Sequence, residues 1–156
     1  MKEKILEAFR DLDFKLEEEE GMGYCFNYEG LNLLYMYNEN DEEFLNIALP
    51  GIVDVEEDKM LQICALLEKI NSTLKYIKAY MLGNSVWLFY ERELFGEEDL
   101  MTVISRMILH LEAGLSFARK AMTEIEETMT NDSSDDDTAE SAEEIDAEEI
   151  TDDDNE

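Results

Sequence analysis

Cations are scarce in this chain. Twelve Lys and Arg stand against 41 Asp and Glu, a formal net charge of −29 over 156 residues. A field of that sign repels phosphate backbones and anionic lipid surfaces, so neither direct nucleic-acid binding nor membrane binding is expected. Proline occurs once, at Pro50, histidine once, at His110, and cysteine twice, at Cys25 and Cys64. Both cysteines sit in apolar segments and are predicted to be reduced core residues rather than a disulfide. No run of about 18 apolar residues occurs, so no membrane span is predicted. The first residues, Met1-Lys2-Glu3-Lys4-Ile5-Leu6-Glu7, lack the apolar stretch of a signal peptide. A cytoplasmic location is the expectation that follows.

What the chain does have is 45% hydrophobic residues, an ordinary globular content. The acids are unevenly spread. Residues 131–156 hold 14 acids and no Lys or Arg, which leaves 41 − 14 = 27 acids against 12 bases, a net of −15, in residues 1–130. Residues 129–156 are predicted to be a disordered acidic tail, because Ile145 and Ile150 are their only large apolar side chains after Met129 and cannot offset the entropy of ordering. Residues 1–128 are predicted to form one domain.

Within that domain the apolar rhythm alternates between helical and strand periods. Residues 2–12 predict a helix with Ile5, Ala8, Phe9 and Leu12 on one face. The run Glu17–Glu20 and the glycines Gly21 and Gly23 interrupt it. Tyr24–Tyr28 and Leu31–Tyr37 predict strands around a Glu29-Gly30 hairpin turn, and Phe44–Leu49 a third strand ended by Pro50-Gly51. A helix over 57–74 carries Met60, Ile63, Cys64, Leu67, Ile70 and Leu74 on one stripe. Lys75–Met81 and Val86–Glu91 predict a second hairpin around Gly83-Asn84. A long helix from about Glu97 to Glu127 has a sustained 3.6-residue stripe from Leu100 through Ile104, Ile108, Leu111 and Leu115 to Ile125. The order α-β-β-β-α-β-β-α, with hairpin-linked strands, predicts an α+β fold: one antiparallel sheet packed with helices.

Several segments together resemble a known family. They are the Tyr28-Glu29-Gly30 hairpin, the strand Phe44-Leu45-Asn46-Ile47-Ala48-Leu49-Pro50, Ile70-Asn71 before Leu74-Lys75-Tyr76, and Val86-Trp87-Leu88 before a long last helix. Over residues 1–128 the chain is similar to the YbjN-like proteins, described as candidate bacterial sensory transduction regulators with the fold of type III secretion chaperones. The resemblance rests on element order and apolar rhythm. It implies that fold, a tendency to dimerise, and protein or peptide binding, and it brings no catalytic residues.

Motifs with chemical meaning are few. Gly21-Met22-Gly23 lacks a third glycine and precedes a strand, so it reads as a flexible lead into that strand and not as a phosphate loop. His110 would need an oriented nucleophile such as Cys64 to be catalytic, and no signature supports that pairing. Asp132, Ser134, Asp136, Glu140 and Glu143 have calcium-loop spacing, but Asp137 stands where the tight-turn glycine belongs. No catalytic, cofactor or metal site is therefore expected. Asn71 lies on the apolar side of the second helix and must satisfy its amide, either through nearby backbone or through a ligand.

Two surplus apolar surfaces point to protein partners. Leu109, Ala113 and Phe117 form a second ridge on the long helix, which either meets a symmetry mate in a homodimer or is covered by the sheet or first helix. Strands Tyr24–Tyr28, Leu31–Tyr37 and Val86–Tyr90 are apolar on both faces, with Trp87 and Phe89 alternating against Val86, Leu88 and Tyr90. Any part of these faces that the three helices leave uncovered would be an aromatic patch. The expected function is a non-enzymatic protein- or peptide-binding module. The alternative is an acidic inhibitor that mimics nucleic acid on a basic partner.

Overall fold

The computed structural model describes residues 1–135. The elements run α1 (Lys2–Asp11), β1 (Glu17–Glu19), β2 (Gly23–Tyr28), β3 (Leu31–Met36), β4 (Phe44–Asp54), a 3-10 turn (Glu57–Lys59), α2 (Met60–Thr73), β5 (Ile77–Leu82), β6 (Ser85–Glu93) and α3 (Leu100–Asp135). The six strands form one antiparallel sheet in the order β1-β2-β3-β4-β6-β5. The α+β class and the order of the five predicted strands and three helices stand.

Turn chemistry sets the hairpins. Glu29 and Gly30 both have positive φ, 47° and 83°, which matches the right-handed twist of the flanking strands. Gly83, at φ 61°, turns β5 into β6. Gly23 is more constrained than a flexible lead-in. Its φ is 141°, and a Cβ there would lie 2.0 Å from Tyr35 O, so glycine lets β2 pair closely with β3.

Two strands depart from expectation. The acidic run is itself β1, a short edge strand pairing Glu17 with Cys25 and Glu19 with Gly23. β4 does not stop at Pro50. It continues to Asp54 through a register shift between Leu49 and Val53, where the missing proline N–H costs no ladder bond.

All three α-helices contribute to one core with one face of the sheet. That core holds Ile5 and Phe9 of α1, Ile63, Leu66 and Ile70 of α2, and Ile104, Leu111 and Leu115 of α3. They lie against Phe26, Leu33, Tyr35, Ile47 and Leu88. Phe9 anchors an aromatic cluster, 4.9 Å from Phe26 and 5.6 Å from Tyr35. The stripe on α2 is rotated from the predicted one. Leu66 is buried while Met60 and Cys64 are exposed, because α2 packs against α3 as well as β5. Cys64 is thus not a core residue, though both cysteines are free thiols.

The helix α3 is long and apolar enough to cross a membrane, but its stripe lies in the core formed with the sheet, α1 and α2, which accounts for that composition. Gly114 lets it approach: a Cβ there would be 3.3 Å from Leu88 Cδ1. Asp99 starts the helix, its carboxylate accepting from Thr102 Oγ1 at 2.6 Å. The helix runs to Asp135, past the predicted end at Glu127. Residues 136–156, most of the predicted tail and of the calcium-like spacing, lie outside the described residues.

Candidate binding surface

Alternation along each strand puts one residue set on the helices and the other on the opposite face. Cross-strand pairing then aligns Glu17, Cys25, Leu34, Ala48, Phe89 and Lys78 in one row across the whole sheet. Among the described residues no helix covers this face. Leu34, Ala48 and Phe89 nevertheless form a buried cluster of their own, flanked by Cys25, Met36 and Trp87.

Aromatic stacking explains the burial of Phe89. Tyr80 lies over Phe89 with ring centroids 4.1 Å apart and planes 2° from parallel, and Trp87 also stacks with Phe89, at 6.0 Å. Trp87 faces the β4 irregularity and donates its indole N–H to Ser85 Oγ at 3.0 Å. Of the two predicted contact residues here, Trp87 is half-buried and available to a partner. Phe89 is fully buried and supports Trp87 and Tyr80 from beneath.

Acids surround the apolar row. Glu17 and Glu19 flank it on β1, Glu91 and Glu93 on β6. Glu91 accepts from Asn46 Nδ2 at 3.0 Å and pairs with Lys78, while Asn46 Oδ1 is buried without a donor among the described residues. Burial, and then the Glu19 and Glu17 carboxylates, push the Cys25 thiol up, so it stays protonated and a poor nucleophile.

The remaining predicted residues fall elsewhere. Leu109 is 52% exposed and Ala113 is exposed, whereas Phe117 is half-buried against the chain's own core. The second ridge of α3 is therefore split, with its C-terminal third covered internally. Asn71 is exposed and meets backbone: its amide donates to Ala79 O at 2.9 Å and accepts from Ala79 N at 2.8 Å. Ala79 lies on the outer strand β5, so Asn71 occupies the place of a missing neighbouring strand.

A second cluster lies on the helix side and has no sequence signature, because three distant segments supply it. Tyr76, just before β5, stacks on Tyr90 of β6 at 5.6 Å with planes 8° apart. The His110 ring of α3 stands steeply inclined to both rings at 5.9 and 5.7 Å, and its Nδ1 lies 2.7 Å from Arg106 O. No hydrogen bond or ring contact joins His110 to Cys64 among the described residues. Tyr76 has φ 69°, rare for a bulky side chain.

Fold and surface together define an α+β scaffold with one helix-covered and one open apolar sheet face. No protein family matches the chain, and no curated protein matches it. Its fold is similar to the crystal structure of YbjN from E. coli, with a TM-score of 0.56 at 13% identity over 74% of this chain and 86% of that one. The likeness is one of fold.

Proposed function

We propose that the protein is a non-enzymatic binding module that holds an apolar, basic segment of a partner protein on the open sheet face. The observation that carries this reading is the accessible layer of Cys25, Met36, Trp87 and Tyr80 seated on the buried row Leu34, Ala48 and Phe89, with no helix above it among the described residues. Apolar contact would supply affinity. Glu17, Glu19, Glu91 and Glu93 would favour a partner with Lys or Arg, and Asn46 Oδ1 offers it an acceptor. YbjN is described as a candidate transcription regulator. A regulatory role for this chain would run through a protein, since its charge opposes direct contact with DNA.

Trp87 is the only tryptophan, so its fluorescence reports on this face directly. Peptides selected from a random library should combine apolar and basic residues, shift Trp87 emission, and bind at least about tenfold more weakly to Trp87→Ala. Peptides that ignore Trp87→Ala and bind steeply less well as salt rises would instead identify an acidic surface that mimics nucleic acid.

A further inference from the structure

A cleft of ≈ 400 Å³ lies where Tyr76 and β6 meet the first half of α3, lined in part by Tyr76, Tyr90, Arg92, Arg106 and His110. Its chemistry runs against that of the chain. In a protein of net charge −29, two of the four arginines and the single histidine gather at one opening. Arg92 is tethered to Glu98 at 3.5 Å, and that carboxylate is already held by the Phe95 and Gly96 N–H groups. The Arg106 guanidinium has no acceptor among the described residues.

Tyr76 adds an independent observation. It is 66% exposed, yet its backbone sits in the left-handed region. Its ring rests on Tyr90 and His110 but is not enclosed, and strained backbone of this kind concentrates at ligand sites. The cleft volume falls within the roughly 300–1,000 Å³ of small-molecule pockets.

We propose that this cleft binds a small aromatic anion, its ring on Tyr76 and its carboxylate or phosphate on Arg106. Planar bidentate contact is what guanidinium offers such groups. The cleft is on the helix side of the sheet, away from Trp87, so it stands or falls separately from the open-face reading.

The test is an amide chemical-shift titration of the full chain with phenyl phosphate, alongside benzoate, phenol and inorganic phosphate. Saturable shifts should centre on Tyr76, Arg106 and His110, with phenol and inorganic phosphate each about tenfold weaker or worse. The benzoate arm tells a carboxylate ligand from a phosphate one. Arg106→Gln, at an exposed position, should stay folded and weaken binding about tenfold or more, while Trp87→Ala should leave it unchanged. Tyr76→Gly should abolish binding while the chain stays folded, because relief of the positive φ offsets part of the lost contacts with Tyr90 and His110. The proposal is overturned if no aromatic anion saturates, if Arg106→Gln binds like wild type, or if inorganic phosphate binds as well as phenyl phosphate, which would mean an adventitious ion only.

Discussion

Asn71→Ala removes two hydrogen bonds, from the side-chain amide to Ala79 O and from Ala79 N to the side-chain carbonyl, at 2.9 and 2.8 Å. Each such bond contributes about 0.5–1.5 kcal/mol net, so the pair is worth about 1–3 kcal/mol. Alanine recovers up to about 0.7 kcal/mol as the better helix former in α2. The site is only partly buried, and water can reach the freed Ala79 groups, which favours the lower half of the range. The expected loss is thus about 0.5–2 kcal/mol, a drop in melting temperature of roughly 2–8 °C for a domain of this size. Urea unfolding should show a lower midpoint at unchanged slope. Ser72→Ala is the control, an exposed neighbour whose hydroxyl reaches only its own helix at 3.4 Å. Amide exchange at Ala79 should quicken in the Asn71 variant alone. If Asn71→Ala matches Ser72→Ala in midpoint and leaves Ala79 exchange unchanged, the amide does not close the β5 edge.

Gly23→Ala should cost about 3 kcal/mol or prevent folding, since its Cβ would meet Tyr35 O at a strained φ of 141°; a melting temperature close to wild type would refute the close-approach account. The Phe95 and Gly96 N–H groups and Arg92 hold the Glu98 carboxyl below its ordinary 4.5. A depressed folded value stabilises the protein above the unfolded value, and that gain fades as pH falls through the folded one. The stability gap between wild type and Glu98→Gln should therefore be open at neutral pH and close below about pH 4.5 in acid unfolding series; a gap that widens on acidification contradicts this. We further propose a homodimer through Leu109 and Ala113. Because Phe117 packs on the chain's own core, the clean disruption is Leu109→Glu with Ala113→Glu. Light scattering should give twice the 18.1 kDa chain mass for wild type and one mass for a folded variant; a monomeric wild type at micromolar concentration rules the dimer out.

Legibility followed physical constraint. The stripe of α3 was readable because every third or fourth residue over seven turns has to face the shared core of sheet, α1 and α2. The two hairpins were readable because Glu29-Gly30 and Gly83 supply positive φ. β1 was hidden because a solvent-facing edge strand needs no apolar alternation, and three consecutive glutamates carry none. Pro50 misled because a bulge can absorb a residue without an N–H. On β6, alternation separates Trp87 and Phe89 from Val86, Leu88 and Tyr90, but cannot say which set the helices take. Nor can it say that Phe89 lies under a stacked tyrosine from another strand. The Tyr76 cleft had no linear signature at all, since its aromatics and arginines converge only through the crossing of β6 and α3.

Closed rims have a further consequence for selectivity. A ligand that joins a sheet as an extra strand is gripped mainly by its main chain, which is the same in every polypeptide. Here three glutamates occupy one rim, and Asn71 takes the Ala79 main-chain groups at the other. That indiscriminate mode is discouraged for foreign peptides and for other copies of this chain alike. Whatever lies on the open face is left to be chosen by the fit of its side chains to Trp87, Tyr80 and the acids beside them, which is a sequence-reading mode of contact.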